Sequence, residues 1–204
     1  MVKFFYLTLF FWITFPVTLY SKEAYLKKPE VILTENELIV VSQLVGGIDL
    51  DRMAIIEKGI NVNLVIQVTI YKKNYIFDEV VKYIINTNKI LTTLEIKKEL
   101  SYNYITKNYI IKYFKNYAGD KNVENYFSGN DLRESYKILK TQFFEKKVIF
   151  YIDLANIDLK DGMSYYVEVE SQFYAVTTIP NFPIAIPNTY NFKTKKVKSH
   201  EFTK

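Results

Sequence analysis

The sequence predicts an α+β domain built mainly of antiparallel β-strands, in one curved sheet or two facing sheets, with two helices packed on an edge or face. Three observations predict it. Several segments alternate apolar and polar residues with a period of two. Two short stretches place helix-start residues ahead of apolar side chains at helical spacing. The order of these segments, with hairpins following one another, lacks the regular strand–helix alternation of a parallel sheet.

The chain opens with Met1-Val2-Lys3, a short positive start, and residues 4–19 then carry no charge. Ser21-Lys22-Glu23-Ala24 returns to polar character. Positive, apolar, then small and polar is the layout of a secretory signal, with cleavage after Ser21 or Ala24. Residues 1–24 are therefore expected to be a signal peptide and residues 25–204 a single exported β-rich domain, in the periplasm or cell envelope. The apolar run falls short of the ~20 residues that span a bilayer comfortably. If it stays uncleaved, residues 4–19 give the chain its membrane contact.

Residues 37–45 read as a strand ended by Gly46-Gly47. Asp49 is a helix N-cap, with Asp51 in the first turn, near the positive end of the helix dipole. That helix holds Leu50, Met53, Ala54 and Glu57 and stops at Gly59, where a missing Cβ permits a left-handed cap. In residues 61–71, Val62, Leu64, Ile66, Val68 and Ile70 point one way, and Asn61, Asn63, Gln67 and Thr69 the other. One wet face of this kind marks an antiparallel sheet. Residues 90–99 repeat the alternation through Thr92, Leu94 and Ile96. Segments 102–105 and 109–114 flank Thr106-Lys107-Asn108 as a hairpin. Residues 77–85 fit a helical turn or a strand equally.

Residues 119–129 are polar and read as a loop. Ser128 or Asn130 then caps a second helix with Leu132, Tyr136, Leu139 and Phe143 on one face. Residues 148–154 and 165–176 are alternating strands, connected through Asp161-Gly162. Residues 179–187 hold three prolines, which cannot donate to a ladder, so an extended loop or edge segment is expected. Residues 193–198 form a charged edge strand or tail.

Chemistry is harder to find. The net charge of +5 comes from lysines spread along the chain, which suits solvated faces better than a nucleic-acid patch, and no nucleic-acid partner is expected. There is no cysteine, which removes disulfides, thiolate catalysis and a lipoprotein anchor. His200 is the only histidine and lies in a polar tail, against a Ser-His-Asp triad or a multi-histidine metal site. No glycine-rich phosphate motif occurs. Glu168 and Glu170 share one face of a strand about 7 Å apart, near a glycosidase spacing, but the wet face of a sheet produces the same pattern. A non-enzymatic protein without cofactor or metal is the expectation.

Several segments resemble a bacterial periplasmic family, the domain-of-unknown-function family DUF4390. Ala54-Ile55-Ile56-Glu57-Lys58-Gly59-Ile60-Asn61-Val62-Asn63-Leu64 is similar to its helix, glycine and strand entry. Leu100-Ser101-Tyr102-Asn103-Tyr104-Ile105-Thr106-Lys107-Asn108-Tyr109 resembles its "L-S-Y, two residues, L-T, two residues, Y" signature. Asp131-Leu132-Arg133-Glu134-Ser135-Tyr136 resembles its second helix, with Ser135 where alanine is usual. Tyr165-Tyr166-Val167-Glu168-Val169 and Ile179-Pro180 follow in the family's order, and Phe192 and Phe202 stand nearest to an expected C-terminal tryptophan. The resemblance implies an envelope-facing domain with no assigned chemistry. Its motif residues here are Gly59, Leu100, Tyr102, Ile105, Thr106 and Tyr109, read as structural, with Tyr102 and Tyr109 packing beside a turn and their hydroxyls at the rim.

Two functions remain open on the sequence. One is an interaction module that docks an envelope protein, since a β-rich domain with unpaired edges invites strand addition. The other is a carrier of a lipid or other apolar ligand, with residues 179–187 as its lid.

Overall fold

The computed structural model describes residues 24–73, 88–115, 123–128, 132–176 and 191–204. The expected signal segment, the ambiguous residues 77–85 and the proline-rich 179–187 lie outside them. The fold is α+β, with mostly antiparallel strands in open sheets and two short helices.

Four strands lead the chain: β1 (Tyr25–Leu26), β2 (Glu30–Leu33), β3 (Glu37–Ser42) and β4 (Leu44–Val45). The expected strand over 37–45 is thus broken at Gln43, whose side-chain amide donates to the Glu145 carbonyl. Helix α1 (Leu50–Glu57) starts as its sequence requires: Asp49 Oδ1 accepts from the Arg52 N–H at 2.8 Å. Lys58 caps its end, and Gly59 follows with φ +85°.

The main sheet grows from β5 (Asn61–Lys72), flanked by β6 (Lys89–Asn103) and β10 (Ser164–Val176). The segment expected at 90–99 and the first half of the one expected at 102–105 are one long strand, β6, while Tyr104 and Ile105 belong to the turn that follows. A bulge at Leu91, between the pairs Ile70–Thr92 and Tyr71–Ile90, bends it where it meets β5. Beyond β6 come β7 (Asn108–Lys115) and β8 (Val123–Ser128). Val123–Ser128 corrects the expectation of a loop over 119–129. It is an edge strand that pairs only with β7 among the described residues.

At the opposite edge, β11 (Phe192–Lys193), β12 (Val197–Lys198) and β13 (Phe202–Thr203) all run antiparallel to β10. Each gap between them spends one residue more than β10 does, so they form one edge strand broken by two bulges. Phe192 stacks on Phe173 at 5.2 Å, and Phe202 leans on Tyr165 at 5.8 Å.

Helix α2 (Leu132–Ile138) passes into a π-helical stretch, Leu139–Phe144. Phe143 and its neighbour Phe144 are both buried at the end of this stretch, their rings edge to face at 5.0 Å. Strand β9 (Val148–Asp153) then joins β3 rather than β10, completing a small sheet of order β2-β3-β9. Its buried face, with Leu38, Val40, Phe150 and Ile152, belongs to the same hydrophobic cluster as Leu64, Ile66, Val167 and Val169 of the main sheet.

Candidate functional site

The motif residues converge on one end of the main sheet. Leu100 is buried opposite Val62 and Ile111. Tyr102 pairs with Tyr109 across β6 and β7, ring centroids 4.9 Å apart. Tyr109 is fully buried and its phenol donates to the Glu57 carboxylate at the end of α1. Burial first, and that bond second, push its pKa far above the usual phenol value. Its hydroxyl is therefore inside, not at the rim where the sequence reading put it, because Glu57 faces the sheet from the last turn of the helix.

Tyr104 meets Tyr102 edge-on at 5.4 Å and closes over Gly59, where a Cβ would come within 2.8 Å of its hydroxyl. Asn103 Oδ1 accepts from the N–H groups of Ile105 (2.9 Å) and Thr106 (3.2 Å), and Lys107 completes the turn at φ +53°. This turn holds Ile105 94% exposed, with Thr106 exposed beside it. Four motif residues thus brace the junction of helix and hairpin, and two stand at its tip.

The small sheet supplies a surface that sequence reasoning missed. Strand alternation turns Glu30 and Ile32, then Glu37, Ile39 and Val41, then Ile149, Tyr151 and Asp153 away from the core. The register sets them in rows. Ile32, Ile39 and Tyr151 lie directly across from one another, with Ile32 51% and Tyr151 52% exposed. Glu30, Val41 and Ile149 make the next row, Ile149 being 38% exposed. Glu37 and Asp153 make the row at the other side, beside the exposed Glu35 of the β2–β3 turn. Just outside β2 and β9, Lys28 and Lys147 are exposed. Among the described residues neither β2 nor β9 has a further strand partner. The signal was present in the sequence: Val31 and Leu33 alternate with Ile32, and Phe150 and Ile152 with Tyr151, so both faces of these strands are apolar.

A third group is internal. Lys98 sits on the core face of β6 between Leu64 and Tyr113, and only 1% of it is exposed. Its ammonium donates to the Phe143 carbonyl of the π-helical turn at 2.9 Å and lies 5.7 Å from the Tyr113 ring. Burial, with the Lys146 charge adding to it, lowers its pKa to about 7. The amine has one donor bond to a main-chain carbonyl and close aromatic walls, an arrangement suited to holding a turn.

The remaining sequence candidates are separated. Glu170 pairs with Lys193 at 3.1 Å, and Glu168 lies across from Lys198 in register, so the two carboxylates serve the edge strand. His200 Nδ1 is 3.3 Å from Lys28 Nζ at the surface. Among the described residues no group of three or more His, Asp or Glu side chains is placed to hold a metal ion. No described helix is long and apolar enough to cross a membrane. No protein-family model, curated protein or solved structure matches this chain.

Proposed function

We propose that the protein is a non-catalytic interaction module of the cell envelope that docks a protein partner on the outward face of β2-β3-β9. One observation carries the reading: an apolar row, Ile32, Ile39 and Tyr151, backed by Val41 and Ile149, crosses three strands on the solvent side. A continuous apolar row flanked by charges is the anatomy of an interface core with its rim. Tyr151 in particular offers a large, stiff, amphipathic contact. The edges of β2 and β9, unpaired among the described residues, add main-chain groups for a partner strand. Export, and with it the envelope setting, rests on the layout of residues 1–24.

The test is site-specific photocrosslinking in the native cells. A photoreactive residue in place of Tyr151 should give a discrete protein adduct, and one in place of Thr93, on the polar face of the main sheet, should give none. Equal patterns from the two positions would contradict the reading.

A further inference from the structure

We infer that the open edge of β9 takes up an extended polypeptide segment as a further antiparallel strand. From its N-terminus that segment reads basic residue, any residue, aromatic or β-branched residue, any residue, β-branched residue. The inference rests on the interaction reading above and names the partner's chemistry.

Register decides which main-chain groups are on offer. The Leu154 N–H donates to the Asn36 carbonyl at 2.9 Å, and these two residues extend the β3–β9 register by one pair. Antiparallel pairs alternate between bonded and non-bonded. Counting in twos from Leu154, Ile152, Phe150 and Val148 bond to β3, so the N–H and C=O groups of Ile149 and Tyr151 point to the open edge. Among the described residues no further strand meets them. The other edge of this sheet, β2, is shorter and gives an incoming strand one exposed apolar neighbour, Ile32, where β9 gives Ile149 and Tyr151.

β9 is also undefended. Edge strands are ordinarily protected by bulges, lysines or prolines. The edge strand β11–β13 has two bulges and carries Lys193 and Lys198. Val148–Asp153 has none of these: its pairing with β3 is unbroken, and its only charge is Asp153.

Charge sets the polarity of the incoming strand. Asp153 lies across from Glu37, with Glu35 in the adjoining turn, and all three are exposed. Asp153 Oδ1 accepts from the Ala155 N–H at 2.8 Å, which fixes the carboxylate at the end of β9. Opposite charges across a ladder attract and like charges repel, so the residue facing Asp153 is basic. An antiparallel strand then continues to the residues facing Tyr151 and Ile149, where aromatic and β-branched side chains pair well. A second β9 does not meet this pattern, since its one charge is a carboxylate.

The probe is the peptide Lys-Thr-Tyr-Thr-Val-Thr, capped at both ends and titrated to about 1 mM into the full chain, a range that covers weak association. Calorimetry should show saturable one-to-one binding, and amide exchange at Ile149 and Tyr151 should slow as peptide is added. N-methylation of the Tyr and Val amides, which face β9, should abolish binding. N-methylation of the two Thr amides between and before them should leave it within about twofold, since those point away. The peptide with Glu in place of Lys should bind about two- to fivefold more weakly, the size of one exposed cross-strand pair. Asp153→Asn keeps an acceptor for the Ala155 N–H and should narrow that gap. No saturable binding, equal loss from both methylation patterns, or a gap unchanged by Asp153→Asn would each overturn the proposal.

The crosslinking experiment keeps this failure apart from failure of the parent reading. A Tyr151 adduct in cells, with a peptide that does not bind, overturns the added strand and leaves the interaction module standing. An adduct on a segment without the pattern, or on a second copy of this chain, does the same. An adduct on a segment with the pattern supports both. With no adduct in cells, both fall.

Discussion

Lys98 is the most consequential single residue in the core. An amine whose folded pKa lies near 7 against 10.5 when unfolded binds fewer protons folded than unfolded between those values. Stability therefore rises as pH climbs through that window, by up to about 1.4 kcal/mol per pH unit. Below pH 7 the amine is charged in both states and the full cost of burying it is present. Replacing it by Met keeps the volume and removes the charge. Urea titrations should show Lys98→Met more stable than the parent at pH 6 and flat between pH 7 and 10; a slope that survives the substitution would refute the assignment. The position was legible in principle, since period two carries Ile96 through Lys98 to Leu100, but a lysine is ordinarily read as wet. Only the carbonyl offered by the π-helical turn makes the site habitable, and no sequence rule foretells that turn.

Ser135 gives the opposite lesson. It is fully buried and its hydroxyl has no hydrogen-bond partner among the described residues. An unsatisfied buried hydroxyl costs about 1 kcal/mol or more. Ser135→Ala should raise the urea midpoint by the equivalent of about 1 kcal/mol, and a lowered midpoint would mean that the hydroxyl has a role.

At the scale of elements, the junction of α1 with the β6–β7 hairpin behaves as one brace. Asp49 and Gly59 delimit α1 as the sequence predicts, because caps are local. What Gly59 does for the hairpin is not local: Tyr104 comes from 45 residues later and lies against it. Gly59→Ala should destabilise by about 1–3 kcal/mol, combining the left-handed backbone with the clash. Adding Tyr104→Ala should recover only the clash part, which thermal melts of the pair resolve. Tyr109→Phe should cost about 1.5–3 kcal/mol by leaving the Glu57 carboxylate without its donor. Alternation located β5 and β10 and a clear turn located β7, but the wet face expected on β5 is not exposed: Asn63 and Thr69 are buried and Asn61 and Gln67 half-buried between the strands on either side. β8 was not legible, since its Val-Glu-Asn-Tyr-Phe-Ser lies in a stretch bounded by Gly119 and Gly129 whose polar residues read as a loop. The break at Gln43 and the two bulges of the last strand were equally hidden, because bulges answer to register and not to residue type.

At the scale of the molecule, the main sheet, the small β2-β3-β9 sheet and the β1–β4 pair share one core, and the small sheet is left apolar outside. The sequence carries that fact in β2 and β9, but a strand apolar on both sides reads as doubly buried. The proposed interaction therefore requires that the β2-β3-β9 face be covered in cells. The chain has no cysteine, so a single Tyr151→Cys can be labelled without background. Its rate of reaction with a small maleimide, measured in cells and again on dilute purified protein, reports the cover directly. The account predicts slow labelling in cells and fast labelling after dilution, with Thr93→Cys fast in both. Equal rates for Tyr151→Cys in cells and in dilute solution would show an uncovered face and contradict the central claim.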